Sequence, residues 1–321
     1  MTSARTTALR MPKLYCPFPD QVHPEAAEID RRSLEWLDAY GLLTDTAVRG
    51  RFGRSKIGWQ ASRTTPHADT ELVQLHADWQ MWLFAFDDVR SEETGAGARP
   101  GPMARSLASF LRILQEPGTR VDEEDPFTSA LRDLRRRLAA VGTRVQVDRF
   151  VTSVLGYWFA QVWEAGNRAD AVWPTVEEYT AMRVHTGAVP TCLALIDVIG
   201  RFELPAAELA RPEVRALTTK AVNVVCWAND IHSYEKEADR SNHPVNLPIL
   251  LHRRDRGTVQ EAIDAAADMH DAEVAAYCAL RPRVTAGPEL GRYLDGLESW
   301  MRGNLTWSLS TGRYHRTPVP A

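Results

Sequence analysis

A surplus of basic charge is missing from these 321 residues: 38 Lys and Arg face 42 Asp and Glu, a formal balance of −4. Nucleic-acid binding normally shows as clustered basic charge, so no nucleic-acid partner is expected, and an anionic substrate needs a local device to hold it. Long apolar runs are also missing. The longest uninterrupted one, Val274 to Leu280, falls well short of the roughly 20 residues that cross a bilayer, so no membrane span is expected. The opening MTSARTTALRMPKLYCPFPD is basic but has no apolar h-region, unlike a signal peptide. Cysteines are few: Cys16, Cys192, Cys226 and Cys278 stand scattered, without metal-type spacing. That is the pattern of a reduced, cytoplasmic protein rather than a disulfide scaffold. Alternating apolar and polar stretches bounded by hairpin turns are hard to find, and no repeat or low-complexity linker divides the chain.

What is present is helical periodicity. Glycine and proline gather at Pro17–Pro24, Thr94–Pro102, Pro117–Pro126, Pro174 and Pro318–Ala321. Between them, apolar residues recur at about 3.6-residue intervals: Leu75, Trp79, Trp82/Leu83 and Phe86; Phe150, Val154, Tyr157/Trp158 and Val162; Ala262, Ala266, His270, Val274 and Tyr277. The expectation is one all-α domain over residues 1–321, a bundle of about ten helices. An irregular strap to about residue 24 precedes it, and a flexible tail from about 315 follows. Ten Trp outnumber both Phe and Tyr, and several lie beside the polar motifs.

The first such motif is Asp87-Asp88-Val-Arg-Ser-Glu92-Glu93, at the end of the apolar Trp82–Phe86 run. Carboxylates at a helix C-terminus oppose its dipole, so a bound cation is a natural compensator. Asp88 and Glu92, four apart, share a face, with Asp87 about 100° round it. Magnesium takes a few carboxylates plus waters and phosphate oxygens. An isolated Asp-Asp pair is more often a solvated helix end.

The second follows the mostly apolar Ala221–Ala228: Asn229-Asp-Ile-His-Ser233-Tyr-Glu-Lys236-Glu237. Asn229, Ser233 and Glu237 fall at i, i+4 and i+8, a single stripe. An amide, a hydroxyl and a carboxylate form a hard-cation set of low charge, suited to a metal that also holds a polyanion. Lys236 stands beside the stripe, within reach of a phosphate oxygen.

Together these motifs resemble the bacterial class I terpene synthases. That family carries an aspartate-rich motif, here Asp87, Asp88 and Glu92, and a later triad with a basic residue, here Asn229, Ser233, Glu237 and Lys236. It also carries a diphosphate-sensing arginine 46 residues before the triad; Arg183 stands there (229 − 183 = 46). Thr186 and Gly187 match its linker and effector positions at a helix break, with Pro190 close by. Arg313-Tyr314 matches its C-terminal Arg-Tyr pair, and Tyr15-Cys-Pro-Phe-Pro its strap, so the resemblance runs from about residue 13 to 316. Two departures stand out: Ser91 replaces an acidic residue, and Thr186 replaces a common Asp.

The resemblance implies a helical bundle with a central active-site cavity and a lyase acting on a linear isoprenyl diphosphate. Three Mg2+ ions would sit on Asp87, Asp88, Glu92, Asn229, Ser233 and Glu237, with the diphosphate held by Arg183, Lys236, Arg313 and Tyr314. Gly187's carbonyl would steer the nascent cation, and Phe84, Trp79 and Trp307 are the candidate cation-stabilising aromatics; Trp158 and Trp227 are weaker candidates that read more as core. Farnesyl diphosphate is the favoured substrate, geranylgeranyl diphosphate the alternative, and a homodimer is compatible with the sequence. A prenyl-chain elongase would need a second aspartate-rich motif in place of the triad, a di-iron bundle would need Glu-x-x-His pairs, and neither is found. A non-catalytic helical scaffold accounts for the periodicity but not for the polar stripe.

Overall fold

Helix after helix begins where the sequence offers a cap. Asp125, Thr143, Thr175 and Thr258 each accept a hydrogen bond from the third residue of the helix they open, and that residue's side chain bonds back. Each such cap contributes about 1 kcal/mol. The prolines of the breaks serve as starts: Pro100, Pro126 and Pro288 occupy first-turn positions, where a missing N–H costs nothing. In this computed structural model, which describes residues 9–92, 97, 99–120, 125–238 and 244–314, fifteen α-helices result and no strand is found among those residues. They are α1 (Ala26–Ala39), α2 (Thr46–Ser55), α3 (Ile57–Thr64), α4 (Thr70–Phe86), α5 (Pro100–Gln115), α6 (Pro126–Val141), α7 (Arg144–Asp170) and α8 (Val176–Thr186). After these come α9 (Val189–Leu193), α10 (Ile196–Ile199), α11 (Ala206–Ala210), α12 (Pro212–Ala238), α13 (Leu247–Asp255), α14 (Val259–Leu280) and α15 (Pro288–Ser310). The expected tail and the side chain of Glu92 lie outside the described residues.

Fifteen exceeds the expected ten because several breaks leave no periodic trace. Lys56, at φ 51°, separates α2 from α3 without a glycine. The stretch Val176–Ile199 is long and apolar enough by composition to cross a membrane, with mean hydropathy 1.3. It is split here into α8, α9 and α10, and 61% of its most apolar 18-residue window is buried inside the fold.

α4 lies at the centre. Only Thr70, Glu71 and Phe84 along it are not buried, the mark of a helix surrounded on all sides; α1, α3 and α6 pack against it. α12 is the second axis, packed by α8, α13, α14 and α15. The strap runs along α14: the Arg10 N–H donates to Gln260 Oε1 (2.9 Å), the Tyr15 N–H to Asp271 Oδ1 (2.8 Å), and the Phe18 ring meets Tyr277 edge-on at 5.7 Å.

Candidate active site

A cavity of about 230 Å3 opens between α4, α7, α8, α9, α12 and α15. α4 lends it Gln80, Leu83 and Phe84, and Asp87, the first residue beyond the helix, continues that face. α12 lends Val225, Cys226, Asn229, Lys236 and Glu237, again one face, and Arg313 and Tyr314 reach it from beyond α15. Its walls are apolar or aromatic in the middle and strongly polar at one end.

At that polar end α4 gives way to a six-residue π-helix, Asp87–Glu92. Wider turns of this kind are rare and re-aim side chains. Asp87 lines the cavity. Asp88 does not; it is buried beside it, gripped by both Nη atoms of Arg313 (2.8 Å each), with Lys236 Nζ at 3.7 Å. Burial works against the charge on Arg313, but Asp88 more than offsets it and raises the guanidinium pKa. The ring of Phe84 lies under the same cation, 4.6 Å from its centroid.

Across the cavity Arg183 is fixed by α12. Its Nε and Nη2 reach Asp230 Oδ1 at 2.9 and 2.6 Å, and Nη2 also donates to Asn229 Oδ1 at 3.0 Å. Nη1 lies 3.4 Å from Thr186 Oγ1. Burial opposes this charge too, and Asp230 overcomes it, raising the pKa well above the usual arginine value. Asp230 takes further bonds from Tyr179 Oη (2.8 Å) and the Leu247 N–H (3.3 Å). Asn229 Nδ2 donates to Tyr314 Oη at 2.5 Å, and Asn246 Nδ2 donates to Glu237 Oε2 at 3.0 Å.

Gly187 ends α8, and the next residue, Ala188, turns left-handed at φ 57°. A Cβ on Gly187 would stand 2.5 Å from Cys226 Sγ and 3.3 Å from Arg183 Nη1, so only glycine fits. The helix break expected at Thr186–Gly187 is therefore present, and its residues meet the sensor arginine.

Two expected cavity aromatics stand elsewhere. Trp79 stacks on Trp82 (5.5 Å, 8°) and donates its indole N–H to Thr191 Oγ1 (3.0 Å). Trp307 donates to the carbonyls of Ser55 (2.8 Å) and Lys56 (3.0 Å) and lies behind Phe84 and Tyr314. Neither lines the cavity: each ring is anchored in the wall by its committed N–H. Trp158 and Trp227, the weaker candidates, are buried in the core and do not line the cavity. Sequence reasoning missed Gln60, Tyr157, Trp163, Glu164, Asn167, Arg168, Tyr179, Trp300 and Asn304, all on the lining. Spacing held one clue: Tyr157, Glu164 and Arg168 recur at i, i+7 and i+11 on α7, where polar residues interrupt an apolar face. Arg168 also donates from Nε and Nη2 to the Gly97 carbonyl at 3.1 and 3.0 Å.

Among the described residues no three His, Cys, Asp or Glu side chains gather into a metal cluster. The donor set is of another kind, one stripe of amide, hydroxyl and carboxylate on α12. Ser233 Oγ within it is fully buried yet has no hydrogen-bond partner. An orphaned hydroxyl is costly in a folded interior, and a hard cation shared with Asn229 and Glu237 would satisfy it.

The family model described as terpene synthase family 2, C-terminal metal binding, matches residues 78–276, a span holding both acidic and polar motifs. The chain is 38% identical to a 4-epi-cubebol synthase ((2E,6E)-farnesyl diphosphate cyclizing) of Streptosporangium roseum, across 95% of this chain and 92% of that one. It is 36% identical to a (+)-T-muurolol synthase ((2E,6E)-farnesyl diphosphate cyclizing) of Roseiflexus castenholzii, across 95% and 94%. The crystal structure of the SVS_A2 protein from ancestral sequence reconstruction superimposes with a TM-score of 0.87 at 30% identity, covering 97% of this chain and 96% of that one. Motifs, helical architecture and relatives agree along nearly the whole length, and the chain belongs to the terpene synthase family.

Proposed function

We propose that the chain is a magnesium-dependent cyclase that ionises farnesyl diphosphate and closes the resulting carbocation to a C15 product, releasing diphosphate. One observation carries this reading: three cationic side chains, Arg183, Lys236 and Arg313, line one end of a cavity whose middle is apolar and aromatic. Such a space holds a polyanion at its mouth and a hydrocarbon inside. The relatives whose names specify farnesyl diphosphate support the chain length.

Magnesium on Asp87 and Asp88 from one side and on Asn229, Ser233 and Glu237 from the other would supply Lewis-acid charge to the leaving diphosphate; three ions is the proposed count. Arg183, with its planar fork oriented by Asp230, grips phosphate oxygens. Arg313 and Lys236 leave Asp88 for the diphosphate as it arrives, and Tyr314 donates from the same side. Thr186 and Gly187 link that grip to the cavity, since Gly187 directly caps the helix carrying Arg183. Phe84 offers its face to the migrating charge, an interaction worth about 1–2 kcal/mol when desolvated. Closure over the buried cavity keeps out bulk water. The whole chain would act as one catalytic domain, and its four unpaired cysteines support a cytoplasmic site of action.

Incubation with magnesium and C10, C15 or C20 isoprenyl diphosphates tests the proposal. Diphosphate release together with cyclic C15 products from farnesyl diphosphate is expected. No diphosphate release from any of the three would sink it; preferential turnover of the C20 substrate would overturn the chain length alone.

A further inference from the structure

We infer that the deep end of the cavity holds a buried water molecule that ends the reaction, so that the product is a hydroxylated terpene rather than a hydrocarbon. The inference rests on the cyclase reading above.

Three helices meet at that deep end. Gln60 of α3, Gln80 of α4, and Trp300 and Asn304 of α15 all line the cavity and are nearly sealed from solvent, at 4%, 2%, 3% and 2% exposure. Uncharged amides are out of place where a cavity is shaped for a hydrocarbon, unless they hold something. Their hydrogen bonds are half made. Gln60 Nε2 donates to Asn304 Oδ1 (2.9 Å), and Asn304 Nδ2 donates to the Val225 carbonyl (3.3 Å). Gln80 Nε2 lies 2.7 Å from His76 Nε2, with Thr64 Oγ1 3.4 Å from the same nitrogen. Burial pushes the His76 pKa down to about 3. The imidazole is therefore neutral, and because an amide nitrogen only donates, His76 Nε2 accepts the Gln80 hydrogen, which leaves Oε1 as the uncommitted end of that side chain.

Off the lining, His76 Nδ1 has no partner, and among the cavity-lining residues of this cluster three further atoms have none: Gln60 Oε1, Gln80 Oε1 and Trp300 Nε1. Two acceptors and one donor are the complement of a water molecule, which gives both hydrogens and accepts one bond. A polar niche with two to four partners is the kind that keeps buried water. Held so, the water retains one lone pair for attack. Gln80 precedes Asp87 by two helical turns, about 10 Å along the axis. The water thus stands away from the ionisation site and meets the cation only after the chain has folded into the cavity. In the final step the water oxygen forms one C–O bond to the carbocation. The resulting oxonium loses one proton, which ends on the diphosphate released at ionisation, and nothing is oxidised or reduced.

The test runs the purified chain with magnesium and farnesyl diphosphate in 18O-water, measuring diphosphate release separately from product mass. The expected major product is an alcohol carrying one 18O. Gln60→Leu and Gln80→Leu, on different helices, are each expected to lower the alcohol-to-hydrocarbon ratio at least ten-fold, a ratio that does not depend on total turnover. If both variants fail to fold, Trp300→Phe, which removes only the indole donor, is read for the same ratio, and an unchanged ratio there overturns this site. Diphosphate release with only unlabelled hydrocarbon would overturn the inference and leave the cyclase reading standing. A labelled alcohol whose ratio is unchanged in both variants would overturn this site. Absence of diphosphate release would fail the cyclase reading itself, and the water with it.

Discussion

Asp78 and Asp88 lie ten positions apart on one stretch of chain, both are nearly sealed from solvent, and both are held by an arginine from elsewhere. Asp78 takes Arg137 Nη1 (2.7 Å), Gln74 Nε2 (2.8 Å) and Ser33 Oγ (2.8 Å), and burial raises its pKa despite them. Asp88 takes both Nη atoms of Arg313, with Lys236 beyond. The bonds are alike in chemistry and differ in what else can reach the cation. Arg313 and Lys236 line the cavity, whereas Arg137 does not. Under the proposed function a diphosphate competes for the first pair and frees a carboxylate for metal, while the second is shared only with Asp133 Oδ2, 3.3 Å from the same Arg137 Nη1. A buried ion pair is thus structural or exchangeable according to the access of its partner, not its geometry.

Breaking the exchangeable side should cost activity rather than stability. Asn229→Ala removes a proposed metal ligand that also bonds Arg183 and Tyr314. Turnover should fall by at least about 10³-fold, because such ligands act mainly in the transition state. Diphosphate-release rates beside a melting curve check this; near wild-type turnover at limiting magnesium would remove Asn229 from the set. Arg183→Lys keeps the charge and loses the planar fork, and ionisation should slow by roughly 10²-fold. That variant should also lose the rise in melting temperature that magnesium plus diphosphate gives the wild type, by mass action on the bound state. A freely active Lys variant with that rise intact would make Arg183 a bystander.

On the structural side the signs reverse. Asp78→Ala strips Ser33, Gln74 and Arg137 of a shared acceptor and should destabilise the fold by about 2 kcal/mol, read from urea unfolding. KM and kcat of the folded protein should change little; a large fall in kcat would erase the distinction between the regions. Asp30 sharpens the contrast, because its hydrogen-bond donor is the Gly58 N–H (2.9 Å) rather than an arginine. Burial there raises its pKa from the ordinary 3.8 to about 6. The folded state holds this proton more tightly than the unfolded chain, so the contribution to stability is full below pH 3.8 and is lost as pH rises through 6. Asp30→Asn should therefore gain on the wild type between pH 4 and 7, by about 1 kcal/mol after allowance for partial exposure. An unchanged difference across that range would mean the carboxyl titrates normally.

The sequence carried the parts that helical spacing alone dictates. Asn229 and Glu237 share the cavity face of α12 because residues eight apart return to nearly the same side of a helix. Arg183 is marked by the family resemblance alone, since α9, α10 and α11 lie between it and Asn229 and no helical pitch dictates their meeting. Other parts left no local mark. The π-helix at Asp87–Glu92 has no composition of its own, and Lys56 takes a left-handed turn with a side chain that seldom does. Trp79 and Trp307 read as cavity rings because they sit beside the right motifs, but rotation about a helix, fixed by distant partners at Thr191 and Ser55, decides which way a ring faces. Gln60 and Asn304 are 244 positions apart. An amide in an amphipathic helix announces nothing until its partner is known.

The contact between Gly187 and Cys226 also constrains how this chain can diverge. The cysteine sulfur fills the space a Cβ would need, and its thiol, 3.6 Å from the Arg183 carbonyl, donates to the same turn of α8. The two positions therefore share one volume and cannot drift independently. A lineage that reaches alanine at 187 must first have passed through something smaller than cysteine at 226. The reverse order pushes α8 off α12 and carries Arg183 away from Asp230. Gly187→Ala should be tolerated in a Cys226→Gly background and harmful in the parent, an order of substitution written into the packing.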